Sequence, residues 1–159
     1  MKKIISLIVV GFLVLGAGCG GSGSGNSRDV SVTIEVPQGW RQRDIQGQIV
    51  LFDYTNDQGG FFFVTKEGAV GKNLAEHIVH KKSFYEEQYG NVEWLGTAEL
   101  SIDGRPAQEI TYMANDLKNK DAYVWIGKNV FRFNIVTTEA IFDDIHDDYY
   151  SILKSAKFK

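Results

Sequence analysis

Between residues 92 and 136 the chain consists of β-forming runs separated by links too short for anything but hairpins. Residues 92–95 and 97–102 read as extended, and residues 105–112 return after Asp103-Gly104. That pair suits a tight turn because both central positions take positive φ, which Asp and Gly tolerate. A polar loop is expected over 115–120. Residues 123–126 and 130–136 then flank Gly127-Lys128-Asn129 as a further hairpin. A link of this length cannot carry a strand back to a parallel position, so the chain is bound to a large antiparallel sheet.

Upstream, residues 30–36 alternate apolar Val30, Val32, Ile34 and Val36 with polar Ser31, Thr33 and Glu35, the period of a half-buried strand. Pro37-Gln38-Gly39-Trp40 should end it as a turn. Residues 49–54 and 61–65 are predicted to pair through the Gly-rich loop 56–60. Asn73 and Glu76 then give a capping-box-like start to a helix over about 73–89. Along it Leu74, Ile78, Lys82, Tyr85 and Tyr89 recur at helical spacing before Gly90. Thr138 is placed to cap a last helix with Ile141, Phe142, Ile145, Tyr149, Ile152, Leu153 and Ala156 on one stripe. Strands in runs with two one-sided helices predict an α+β fold, an antiparallel β-sheet flanked by two α-helices.

The first residues have another purpose. Lys2 and Lys3 precede an apolar stretch over 4–15, and Gly16, Ala17 and Gly18 lead to Cys19, a secretory signal layout too short for a stable membrane-spanning helix. Cys19 is the only cysteine, so it has no disulfide partner within the chain. Leu15-Gly16-Ala17-Gly18-Cys19 resembles the bacterial lipoprotein signal, with the leucine one position further from the cysteine than usual. The resemblance implies a signal peptide over 1–18 and lipidation at Cys19, with a diacylglycerol thioether and fatty acyl chains such as palmitate. Residues 19–27 follow as a lipidated cysteine and Gly/Ser tether, flexible because it lacks apolar side chains, and 28–159 form the domain. The expected location is the cell envelope, anchored to a bacterial membrane and facing its extracytoplasmic side.

The order of strands, helix, strands and final helix, with residues 34–40, Ile102-Asp103-Gly104-Arg105-Pro106-Ala107 before Tyr112, and the ending 152–158, resembles the PsbP-like fold. That resemblance implies an α/β/α sandwich and binding or assembly roles without a shared catalytic centre.

The candidate sites are few. His77 and His80, at i and i+3 on the first helix, are close enough to share a metal, but two ligands do not make a site, and both are expected on the solvated face with Phe84. Asp143, Asp144, His146, Asp147 and Asp148 are the densest charge cluster, yet on one helix they spread over the outer face instead of converging on a cation. The segment 53–59 resembles a calcium loop only faintly: its glycine comes one position late and no Glu closes it. The chain has no Gly-x-Ser-x-Gly elbow and no Gly-rich phosphate loop leading into a helix. A net charge of −3 offers no field for nucleic acid. The sequence therefore points to a non-catalytic, membrane-anchored protein with no cofactor, docking on another envelope protein through its aromatic-rich domain. The alternative is a small-ligand or metal-ion binding lipoprotein.

Overall fold

In the computed structural model, which describes residues 30–45, 48–53 and 60–159, the chain order is β1 (Val32–Thr33), β2 (Trp40–Ile45), β3 (Gln48–Asp53), β4 (Phe61–Gly68), α1 (Leu74–Tyr89), β5 (Val92–Ile102), β6 (Arg105–Ala114), β7 (Leu117–Ile126), β8 (Asn129–Thr137), α2 (Glu139–Phe142), α3 (His146–Ser155) and β9 (Lys157–Phe158). Seven strands make one antiparallel sheet in the order β2-β3-β4-β8-β7-β6-β5. The signal segment, Cys19, the tether and residues 54–59 lie outside the described residues.

The topology explains the two helical layers. β4 sits beside β8 in the middle of the sheet while β5 forms an edge, so the chain must cross three strands between them. The helix α1 makes that crossing. Asn73 Oδ1 accepts the Glu76 N–H at 2.9 Å to start it, and Gly90, at φ 73°, ends it. On this face Ile78 and Tyr85 pack with Ile110, Tyr112, Ala114, Tyr123 and Val130. After β8 the chain returns across the opposite face, where α2 and α3 bury Phe142, Ile145, Tyr149, Ile152 and Leu153 against Leu51, Phe62, Val124, Phe133 and Ile135. The result is a helix/sheet/helix sandwich.

Asp103-Gly104 turns at positive φ in both residues, as its chemistry requires. Five expectations need correction. The alternation holds in burial over 30–34, since Val30, Val32 and Ile34 pack on the core, but Val36 is exposed, and ladder pairing in β1 covers Val32–Thr33 alone because its partner β9 is equally short. The strand β2 is unforeseen: Trp-Arg-Gln-Arg-Asp-Ile carries no apolar alternation, and the strand survives at the sheet edge with only Trp40 buried. Residues 92–102 form one strand with a bulge between Trp94 and Gly96. The expected loop 115–120 contracts to Asn115-Asp116, both at positive φ, and 117–120 belong to β7. The last helix is broken into α2 and α3 across residues 143–145, and Thr138 makes no side-chain cap bond, although all seven stripe residues are buried.

Candidate functional site

Adjacent residues of β7, Lys120 and Asp121, point to opposite faces of the sheet, and each is buried with charged and phenolic partners. The sheet register determines who meets whom. Asp121 lies opposite Asn134 on β8, with Tyr123 two residues on and facing the same side. Its Oδ1 accepts from Arg132 Nε at 3.1 Å and Asn134 Nδ2 at 2.6 Å. Its Oδ2 accepts from the hydroxyls of Tyr85 and Tyr123, each at 2.9 Å, and of Tyr112 at 3.3 Å. The Tyr85 and Tyr123 oxygens are themselves 2.9 Å apart, so two hydroxyl protons serve three short contacts. Burial, reinforced by the Asp121 charge, raises the pKa of all three tyrosines well above the usual phenol value. This cluster is roofed by α1 and is structural: Asp121 is wholly inaccessible.

On the other face Lys120 Nζ pairs with Glu109 Oε1 at 3.2 Å and donates to the Tyr150 hydroxyl at 3.1 Å. Tyr150 in turn donates to Glu109 at 3.1–3.2 Å. The ammonium lies within 6 Å of the ring centres of Phe142, Tyr149 and Tyr150. Beside this pair the Tyr149 hydroxyl is buried without a hydrogen-bond partner, and burial together with the Glu109 charge holds its pKa up.

Unlike the Asp121 cluster, this pair reaches the surface. An open cleft of about 360 Å³ is floored by Gly96 and Ala98 on β5, Glu109 and Thr111 on β6, and Lys118 and Lys120 on β7, with Phe142, Asp143 and His146 along its helical rim. The cleft exists because the edge strand presents small residues there and because the chain turns away at the break between α2 and α3.

The residues singled out from the sequence separate. Asp143 and His146 come to the cleft. Asp147 and Asp148 occupy the first turn of α3, where negative charge complements the helix dipole, and Asp148 accepts the Trp40 indole N–H at 2.7 Å. Asp143 instead caps the C-terminal end of α2, where the helix dipole does not favour a negative charge. His77 is not on the solvated face: it is 1% exposed, because its helical position lies over Tyr123 and Trp125. The Val70 N–H donates to its Nδ1 at 3.1 Å, which places the ring proton on Nε2, donating to Glu67 at 3.1 Å; Lys81 completes the group at 2.9 Å. His80 and Phe84 are exposed as expected, so the two histidines are not brought together. Among the described residues no three His, Cys, Asp or Glu side chains converge as metal ligands, and no helix is long and apolar enough to cross a membrane.

Sequence reasoning missed Glu109, Lys120, Asp121 and Arg132. A signal was present for Arg132, a charge between Phe131 and Phe133 in a predicted strand, but Lys120 was hidden by reading 115–120 as a loop.

No protein-family model matches the chain, and no curated protein sequence matches it. Solved structures do match. Cyanobacterial PsbP (CyanoP) from Synechocystis sp. PCC 6803 aligns with TM-score 0.58 at 16% identity, over 91% of this chain and 99% of that one. LpqN, involved in cell envelope biogenesis of Mycobacterium tuberculosis, aligns with TM-score 0.62 at 12% identity, over 85% and 87%. PA94, a Pseudomonas aeruginosa protein of unknown function, aligns with TM-score 0.56 at 13% identity, over 80% and 81%. The fold is PsbP-like, an α+β sandwich on a seven-stranded antiparallel sheet.

Proposed function

We propose that this chain is a non-catalytic lipoprotein of the bacterial cell envelope, held to the membrane through Cys19, whose PsbP-like domain docks on another envelope protein. The observation that carries the reading is the signal layout ending at a lone Cys19 followed by a Gly/Ser tether. The fold likeness to LpqN, a protein involved in envelope biogenesis, supports the compartment. The outer side of α1, where Val79 is 63% and Phe84 49% exposed, is the surface we assign to the partner.

In-cell crosslinking of the full-length protein, followed by capture and mass spectrometry, tests the docking. A single envelope protein recovered near stoichiometrically, with crosslinks to Lys81 or Lys82 on α1, supports it; recovery without partner sinks it. Cys19→Ala tests the anchor separately: the expected outcome is loss of the acylated mass and of membrane partition. An unchanged mature mass in that variant would overturn lipidation.

A further inference from the structure

We infer that the cleft beside Lys120 and Glu109 is a binding site for a small organic monocarboxylate with a short or flat apolar body, its carboxylate on Lys118 Nζ. This inference does not depend on the anchor or on a docking partner.

The charges lining the cleft decide the ligand's polar end. Lys120 is committed to Glu109 and Tyr150. Lys118, two residues earlier on the same face of β7, has its ammonium 4.3 Å from the centre of the Phe142 ring, and no carboxylate of the described residues pairs with it. The cleft therefore offers one uncommitted cation, already partly desolvated against an aromatic face. Lys120 neutralises Glu109, so the remaining charges of the lining are Lys118 and Asp143, and a dianion such as phosphate would leave the cleft two negative charges in excess. A monoanion leaves one, and paired with Lys118 it is the smaller load.

The walls decide the rest. Leu95, Ala98 and Phe142 give the cleft apolar surface, and Leu95 is 44% exposed. Thr97, Thr111 and His146 add hydrogen-bonding groups around the mouth. A volume near 360 Å³ is at the small end of ligand sites, sized for a molecule of about ten heavy atoms. Retention of a buried ion pair on the floor fits a site more than a core, because a well-packed apolar replacement is often no less stable. Gly96 supplies the room: a Cβ built there meets no atom within 4 Å, and its backbone is one that other residues adopt.

The test uses the isotope-labelled full-length chain in detergent micelles, titrated with benzoate and, as controls, benzyl alcohol, benzylammonium and inorganic phosphate. Benzoate is expected to shift the backbone amides of Gly96, Ala98, Thr111 and Lys118 saturably, while the alcohol, amine and phosphate do not. Lys118→Gln should weaken benzoate about tenfold, the loss of one charge-assisted contact. Gly96→Trp should abolish binding by filling the cleft while leaving the amide spectrum elsewhere unchanged, and it keeps the question open to test if the lysine variant fails to fold. Benzoate binding no better than benzyl alcohol, equal response to phosphate, or full binding retained in Gly96→Trp would each overturn the inference.

Discussion

Lys120 and Asp121 are neighbours in the chain and buried to similar depth, yet one side of the sheet completes its partner's hydrogen bonding and the other does not. Asp121 takes five donors under a roof of helix, and the Arg132 guanidinium lies 5.6 Å from the centre of the Tyr85 ring. Lys120 and Glu109 share one tyrosine hydroxyl, leave Tyr149 without a partner and open onto a cleft. A fully satisfied buried network fixes a structure, and a partly satisfied one is where a ligand can add something.

The difference should be visible first at high pH. Four of the seven tyrosines, Tyr85, Tyr112, Tyr123 and Tyr149, are held above the ordinary phenol pKa chiefly by burial. Because the folded values are the raised ones, their contribution is fully present below about pH 10 and is lost as pH climbs past it, when the unfolded chain releases these protons and the folded one does not. With four groups the loss approaches about 5 kcal/mol per pH unit. Tyrosinate absorbance should therefore rise in two stages, the second coinciding with loss of near-UV dichroism. Four tyrosines titrating smoothly in a folded protein would show that the network is open to water.

Removing one acceptor tests the closed side. Asp121→Ala strands Arg132 and three hydroxyls, so about 3–5 kcal/mol of stability should go, measured by urea denaturation. On the open side Lys120→Ala and Glu109→Ala should each cost about 1–3 kcal/mol, but Lys120→Met with Glu109→Leu should cost much less than the two single losses together. A double variant as damaged as the sum would mean that the pair is a structural necessity like Asp121.

The histidines sharpen the same contrast on a smaller scale. His77→Ala removes a buried ring, the acceptor for Val70 N–H and a donor to Glu67, and should cost about 2 kcal/mol; His80→Ala should be neutral within about 0.5 kcal/mol. Equal melting curves for the two would return His77 to the surface.

How much of this was legible depends on what each residue's neighbours in sequence share with its neighbours in space. The turn at Asp103-Gly104, the start of α1 at Asn73 and the stripe from Ile141 to Ala156 are local patterns, and the fold follows them. The break at 143–145 was invisible because the same stripe is buried with or without it. The polar clusters were invisible for a different reason. Glu109 meets Lys120, and Asp121 meets Tyr85, across strand register and a helix crossing that no spacing encodes. Polar residues at 118–120 read as loop because a buried charge looks like an exposed one until its partner is placed.

The smallest effect lies where both chain ends of the domain meet. Asp103, in the β5–β6 turn, accepts from the Phe158 N–H at 3.1 Å and from Lys157 Nζ at 3.0 Å. Those two bonds, the backbone one foremost, depress its pKa below the usual carboxylate value. A depressed folded pKa means that the contribution is present above the unfolded value near pH 4 and disappears as pH falls through the lowered one. The expected consequence is local, since Asp103 lies in a surface turn and β9 holds only two residues against β1. Asp103→Asn keeps the positive φ of the turn, because Asn tolerates it, and removes the charge and one of the two acceptor oxygens. The Phe158 amide should then exchange faster at neutral pH and lose its pH dependence below pH 4, while amides in β7 stay as they were. Unchanged exchange at Phe158 would show that Phe131 and Phe133, whose rings lie 5.1 and 6.2 Å from that of Phe158, hold β9 without the carboxylate.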